Sequence, residues 1–359
     1  MPGRKPAAPK DSTLCRRCQI NEPAITVRSE PLCHPCFCKY VQTKVVKRMD
    51  SFRVKHSDPG QERVLLLPLS FGACSTTLLY LLSEHMKGQV ERTGRSGYKL
   101  HVLHVDEGFN SDDNASRMQL DTVKERFPEH TYSLSSLAEV TSMEGITSMF
   151  KQEAEHENQE SSTPPLSMNE LLSFLTSATS RTDTLQILRR RLITTFAKIH
   201  GCESILWAHS TTRLAEVTLA ETAKGRGASI PWLVSDTSSP HGIQYFYPMR
   251  ELLTKEIIAF SSLVEPPLIE LIVRDVAKPA VSTKNTSIDD LMRQYFESVE
   301  REYPSIVANV VRTTGKLQAP EVREAEERCE LCEMPLGEEA PARSRLCYGC
   351  IRTLPWVEN

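Results

Sequence analysis

Apolar residues in this chain fall into short unbroken runs and longer stretches of helical spacing, and the two kinds alternate. Val64, Leu65, Leu66 and Leu67 form one such run, the pattern of a strand buried on both faces of a parallel sheet. Small residues turn the chain at Ser70-Phe71-Gly72-Ala73-Cys74-Ser75, and Thr76 to Leu82 resumes with apolar positions at helical spacing. This layout aims backbone N–H groups and the positive end of a helix at an anion. A second run, Lys99 to Val105, predicts a strand ending in Asp106-Glu107-Gly108. Asp112 or Asp113 is expected to cap a helix running to Phe127, with a weaker strand at Thr131–Leu134. Helix resumes at Met168, and Thr182-Asp183 is expected to cap a long amphipathic helix. Its Leu185, Leu188, Leu192, Phe196 and Ile199 face a core, and Arg189, Arg190 and Arg191 take the other face, which reads as solvated or as an RNA contact. Gly201 stops this helix before a strand at Ser204–Ala208. His209 to Gly227 reads as a loop and helix closing on a glycine loop that carries Lys224 and Arg226, and further helices are expected over 251–262 and 289–303.

Strands and helices alternating at this spacing predict right-handed βαβ units and a doubly wound parallel α/β sheet. Ligands of such sheets bind beyond the carboxyl ends of the strands, where Ser70–Ser75 and Asp106 fall. Polar stretches mark the boundaries. Residues 1–13 read as a disordered basic tail, 14–56 as a small cysteine module with a basic helix from Lys39 to Arg53, and 57–318 as the α/β domain. A partly disordered insertion is expected over 139–165, and 319–359 reads as a charged linker followed by a second cysteine module.

Length and composition narrow the function classes. At 359 residues the chain exceeds one typical core. A formal charge of -3 gives no global nucleic-acid signature, so RNA binding has to come from local patches. No apolar segment suggests a signal peptide or a membrane span, which points to the cytoplasm. There, paired Cys-x-x-Cys motifs among the eleven cysteines imply metal rather than disulfides. Cys15-x2-Cys18 and Cys33-x2-Cys36 are separated by fourteen residues, as are Cys329-x2-Cys332 and Cys347-x2-Cys350. Each quartet fits a closed tetrahedral zinc site, with an iron–sulfur cluster as the alternative. Cys38 is an extra thiol outside the quartet.

The loop at Ser70–Ser75 resembles the Ser-Gly-Gly-x-Asp-Ser loop of the PP-loop ATP pyrophosphatases, with Phe71 at the first glycine and Cys74 at the aspartate. Further segments extend the resemblance: LCHPCF, HVDEG, WAHSTTRLAEVTLAETAKGRG, YPMREL, YFESVEREYPSIVANVVRT and the terminal quartet. Together they are similar to the cytoplasmic tRNA 2-thiolation protein 2 family, over most of the chain except 1–13 and 139–165. The resemblance implies a sheet of PP-loop ATP pyrophosphatase (HUP-like) type flanked by two four-cysteine zinc modules. It also implies a heterodimer with a catalytic PP-loop subunit that binds ATP and Mg²⁺. Such a pair places sulfur on carbon 2 of the wobble uridine (mcm5s2U) of tRNA-Lys, tRNA-Glu and tRNA-Gln, with a thiocarboxylated ubiquitin-related modifier as the sulfur donor.

Against that pattern the residues indicate a degenerate site. Ser70, Gly72 and Ser75 keep part of the nucleotide cradle, with Asp106 and His209 at the same edge. The carboxylate is lost at Cys74, and Phe71 puts a bulky side chain where backbone approaches phosphate. Active relatives follow the histidine with an acidic pair and Ala-Glu. Here His209, Ala215 and Glu216 remain, but Thr212 and Arg213 fill the acidic positions. The Cys-x-x-Cys expected in the middle of a catalytic subunit is missing as well, since the main domain holds only Cys74 and Cys202. The expected role is therefore a non-catalytic, tRNA-binding subunit, with Arg213, Lys224 and Arg226 as the tRNA contacts. The alternatives are a competent ATP-dependent tRNA sulfurtransferase, with Cys74 as the candidate nucleophile, and a zinc-dependent scaffold. Cys74 reads more readily as a small residue packing a turn, Cys202 as core, and His209 as a helix cap or a ligand contact.

Overall fold

The computed structural model describes residues 12–58, 60–108, 114–143, 146, 149, 167–273, 285–320, 327–336 and 345–354. Its centre is β3 (Val64–Pro68), which pairs in parallel with β4 (Lys99–Asp106) on one side and β6 (Ser204–Leu206) on the other. Beyond β4 lies β5 (Thr131–Ser136), and beyond β6 lies β8 (Gln244–Phe246), both parallel to their neighbours. The short β7 (Thr237–Ser238) closes that edge in antiparallel sense. The order β5-β4-β3-β6-β8-β7 is that of a doubly wound sheet, with its switch point between β3 and β6.

The unbroken apolar run of β3 has the role its pattern predicts. Leu65 and Leu67 enter one buried cluster and Leu66 the other, so both faces are covered. One face carries α1 (His34–Arg48), α2 (Ala73–Thr93), α3 (Ala115–Arg126) and α8 (Thr254–Leu263). The other carries α4 (Met168–Ser173), α5 (Ala178–Ile199), α6 (Thr211–Ala223), α7 (Ile230–Val234), α9 (Ile288–Glu302) and α10 (Pro304–Thr314). The N-terminal cysteine module, with the hairpin β1 (Ile25–Val27) and β2 (Glu30–Leu32), packs into the first cluster. The C-terminal module, ending in α11 (Tyr348–Thr353), packs into the second.

Four local expectations change. The long helix α5 starts at Ala178, because the Ser177 hydroxyl accepts from the N–H of Ser180 at 2.9 Å. Asp183 therefore lies inside the helix, buried and ion-paired, and does not cap it. Ile199, expected in the core, is 75 % exposed in the last turn, where Ala197 takes the packing position. Arg191, expected on the outer face, is buried. The helix expected from Glu251 begins at Thr254. The cap expected at Asp112 or Asp113 and most of the expected insertion lie outside the described residues, while Leu137–Ser142 forms a 3₁₀ turn.

Candidate functional site

The carboxyl edge of the sheet gathers the loop after β3, the end of β4 and the start of α6. In the loop, Ser70 N–H donates to Ser75 Oγ at 3.2 Å, the two hydroxyl oxygens lie 3.1 Å apart, and Ser75 Oγ donates to Gly72 O at 3.2 Å. Gly72 N–H points back to Ser70 Oγ at 3.4 Å. The hydroxyls and donors expected to cradle a phosphate thus bond within the loop. Phe71 takes the left-handed backbone of the missing glycine, at φ +56°. Its ring is buried 4.2 Å from that of His104, and its carbonyl accepts from Val273 N–H at 2.9 Å. His104 donates from Nδ1 to Leu69 O at 2.7 Å, and burial lowers its pKa. Asp106 spends one oxygen on its own turn, accepting from Gly108 N–H at 3.0 Å.

The start of α6 is equally committed. Ser210 caps the helix, accepting from Arg213 N–H at 3.0 Å, and meets Thr254 Oγ1 at 2.7 Å. Thr212 donates to Glu300 Oε1 at 2.7 Å, and the same oxygen accepts from Lys255 N–H at 3.2 Å. Arg213 pairs with Glu216 three residues on at 2.9 Å. Burial raises the pKa of Glu216 despite that partner. His209 lies with its ring centroid 5.8 Å from Trp207 and 5.6 Å from Tyr247. Burial, helped by the charges of Arg213 and Arg190, brings its pKa down to about 3, so it is neutral at pH 7.

Cys74 sits in the first turn of α2, where a helix dipole would favour a thiolate. Burial and the carboxylates of Glu216 and Glu300 outweigh the dipole and push the thiol up to about 12. Glu300 of α9 thus faces both Thr212 and Cys74, and the sequence analysis did not single it out. Its signal was present: Asp289, Phe296 and Glu300 repeat at seven and four residues, which puts two acids on the apolar face of one helix.

Two of the three cations expected to contact tRNA do not reach solvent. Lys224 and Arg226 are 4 % and 5 % exposed, inside a network that joins α5, α6 and α9. Lys224 Nζ lies 2.8 Å from Asp183, 2.8 Å from Glu221 and 3.2 Å from Asp289. Arg226 pairs with Asp183 and, at 2.7 Å, with Glu221. Three acids at hand explain why a Lys-Gly-Arg loop turned inward. Arg213 alone of the three keeps an accessible side chain. Arg189 pairs with Glu107 at the end of β4.

Both cysteine quartets assemble. In each, one sulfur from each side chain lies within 4.8 Å of the other three. Cys18 Sγ and Cys33 Sγ are 3.8 Å apart, as are Cys332 Sγ and Cys347 Sγ. A tetrahedron with metal–sulfur bonds of about 2.3 Å has edges of about 3.8 Å, so the spacing fits a single ion. A cubane cluster, with its irons at separate corners, would hold its thiolates farther apart. The two sites share one build. Gln19 and Glu333, each directly after the second cysteine, have φ +53° and +57°, and their N–H groups return to Cys15 O and Cys329 O at 2.9 and 2.7 Å. Cys33 and Cys347 occupy the N-cap positions of α1 and α11, so each second knuckle opens a helix.

Known proteins place the chain among relatives of one name and one fold. Residues 287–345, which hold α9, α10 and the first C-terminal knuckle, match the family model described as cytoplasmic tRNA 2-thiolation protein 2. A protein of that name from Phaeosphaeria nodorum is 46 % identical, covering 99 % of this chain and 98 % of the relative. One from Pyrenophora tritici-repentis is 41 % identical with the same coverage. Among solved structures, the U34-tRNA thiolase NcsA from Methanococcus maripaludis with its 4Fe-4S cluster superposes with a TM-score of 0.59 at 15 % identity. That match covers 91 % of this chain and 94 % of the thiolase, and it establishes the PP-loop-type fold.

Proposed function

The chain belongs to the cytoplasmic tRNA 2-thiolation protein 2 family, and from that premise we propose that it is the non-catalytic, tRNA-binding subunit of a cytoplasmic heterodimer that 2-thiolates wobble uridine. The single observation that carries the reading is how fully the carboxyl edge is occupied by the chain's own side chains. Thr212 is held by Glu300, the loop hydroxyls hold each other, and Cys74 is a thiol at neutral pH. Adenylation of a uridine carbonyl needs Mg²⁺ with carboxylate ligands and open backbone donors at this edge. Glu216 is tied to Arg213, and Asp106 keeps only one oxygen free of its own turn, so the edge lacks the carboxylate pair that the catalytic pattern supplies.

In this reading ATP and Mg²⁺ bind the catalytic PP-loop partner, and the sulfur comes from a thiocarboxylated ubiquitin-related modifier. The tRNAs for lysine, glutamate and glutamine are the substrates, and Arg213 is the remaining tRNA contact at this edge. Each quartet holds one zinc ion, closed to substrate, that supplies folding energy and no chemistry. Cys74 and Cys202, the only cysteines of the α/β domain, are too few to hold a cubane iron–sulfur cluster within it.

The test is pyrophosphate release by the purified chain with ATP, Mg²⁺ and tRNA. None is expected from the chain alone, and release should appear when the partner, identified by co-purification and mass spectrometry, is added. Turnover by the chain alone would instead establish a competent sulfurtransferase.

A further inference from the structure

Arg191 ends a triplet of arginines, Arg189 to Arg191, on the helix face expected to be polar, yet it is 6 % exposed. Its Nη1 donates to the carbonyls of Glu330 at 2.5 Å and Leu331 at 3.2 Å, and its Nη2 reaches Glu333 Oε1 at 2.8 Å. Glu330 and Leu331 are the two residues between Cys329 and Cys332, and Glu333 follows at once in the left-handed region. One guanidinium therefore fixes the peptide planes of the turn that aims the first two sulfurs. The other oxygen of Glu333 meets His241 Nδ1 at 3.1 Å, which holds the carboxylate from its far side.

The second knuckle is seated on the buried ionic network. A Cβ added to Gly349 would lie 2.3 Å from Arg226 Cγ and 3.0 Å from Lys224 O. A Cβ on Gly225, which has φ +82°, would lie 2.7 Å from the ring of Tyr348. Cys347-Tyr348-Gly349-Cys350 thus lies directly on Lys224-Gly225-Arg226. Three residues on, Thr353 Oγ1 donates to Asp183 Oδ2 at 2.7 Å, so α11 joins the network that Lys224 and Arg226 complete. At the N-terminal quartet the supporting bonds are local, from Gln19 Nε2 to Cys15 O at 2.9 Å and from Asn21 Nδ2 to Cys33 Sγ at 3.7 Å.

We propose that Arg191 and Arg226 are positioning residues for the metal ion of the C-terminal quartet, gripping its two knuckles from α5 and from the loop after α6. The inference rests on the single-ion reading of the quartets. It gives the Lys-Gly-Arg loop a role other than RNA contact, and it makes metal retention at this end of the chain depend on the α/β domain. Groups that orient metal ligands typically change metal affinity by about 10–100-fold when removed.

The experiment uses the full-length chain loaded with zinc, and follows metal release to the chromogenic chelator 4-(2-pyridylazo)resorcinol well below the melting temperature. Cys332→Ser identifies the C-terminal phase by abolishing it. Arg191→Met should speed that phase by about 10–100-fold and leave the N-terminal phase unchanged. Arg191→Lys, which keeps the charge beside Glu333 but cannot fork across two carbonyls, should recover only part of the retention. Gly349→Ala, which changes no charge, should speed the same phase by unseating the knuckle from Arg226. Circular dichroism confirms that each variant is folded, because a merely structural role would lower the melting temperature without separating the two phases. Unchanged release in both Arg191→Met and Gly349→Ala, with about two zinc ions per chain in the wild type, would overturn this inference alone. Zinc near zero in the wild-type chain would overturn the single-ion reading with it.

Discussion

At the scale of single residues, what a side chain touches decides chemistry that its identity leaves open. Cys74 has the position of an activated thiol, but burial and the carboxylates of Glu216 and Glu300 hold its pKa near 12. At pH 8 far less of it is then thiolate than the roughly one quarter expected of an ordinary cysteine. Alkylation of the Cys74 peptide, read by mass spectrometry, should therefore be at least about a hundredfold slower than that of an unfolded control. Cys74→Ala should leave wobble-uridine thiolation by the assembled complex within a fewfold of normal. Loss by several orders of magnitude in a folded, partner-bound variant would restore the nucleophile reading. The losses at Phe71, Cys74, Thr212 and Arg213 were legible in the sequence, because a missing carboxylate or glycine shows against a known pattern. How they are compensated was not. Phe71 accepts a left-handed backbone and buries its ring on His104, and Thr212 finds Glu300 from a helix 88 residues away. Restoring the pattern with Phe71→Gly and Cys74→Asp should not create pyrophosphate release, since Thr212 and Arg213 remain. It should also destabilise the fold by roughly 3 kcal/mol, because loss of a buried aromatic ring outweighs relief of one strained φ.

At the scale of elements, the alternation of apolar runs and helical periods was enough to place β3, β4, β5, α2 and α6, whose burial follows directly from their patterns. It was not enough for Lys224 and Arg226. Their loop reads as basic because Asp183, Glu221 and Asp289 come from three separate helices, and only the packing of α5, α6 and α9 brings the five charges together. The network has a pH signature. Burial alone would raise Glu221, but the charges of Arg226 and Lys224 prevail and hold it at about 2, below its ordinary 4.5. Asp183 is lowered too, with its burial likewise outweighed by Arg226 and Lys224. Carboxylates with depressed folded-state pKa values stabilise fully above their unfolded values, and the contribution is lost as pH falls through the folded ones. Stability measured by urea titration should therefore decline between about pH 5 and pH 2, and Lys224→Met should flatten that decline. The same variant should cost about 3–5 kcal/mol, because it strands buried carboxylates without their partner. Its tRNA affinity and salt slope should match the wild type, whereas Arg213→Ala should reduce the slope of log affinity against log salt by roughly 0.7–0.9. A lowered salt slope in folded Lys224→Met would return that residue to the RNA surface.

At the scale of the whole molecule, the expected boundaries at 56/57 and 318/319 mark changes in composition more than breaks in packing. Cys15 and Cys33 belong to the same buried cluster as Leu65 and Leu78, and Cys329, Cys332 and Cys350 to the same cluster as Leu188 and Leu214. Each four-cysteine module is thus an extension of the core on one face of the sheet. Small ribbons bury too little apolar surface to fold alone, so a bound metal would supply folding energy that continues into the α/β domain. Metal analysis should return close to two zinc ions per chain, with Cys18→Ser and Cys332→Ser each removing about one; iron with a visible absorption band would contradict the zinc assignment. Calorimetry separates the two views of domain structure. If the modules share the core's cooperativity, the zinc-loaded chain unfolds in one transition, and chelation moves that transition to lower temperature as a whole. If instead they fold as independent units, chelation should remove a small separate endotherm and leave the main one in place. The buried seats of Gly349 on Arg226 and of Thr353 on Asp183 favour the first outcome. The shift should be larger for Cys332→Ser than for Cys18→Ser, because the C-terminal module is seated on the buried network of Asp183, Lys224 and Arg226, whereas the ion pairs from the N-terminal module to the domain, Lys44–Glu251 and Arg48–Asp236, are part-exposed.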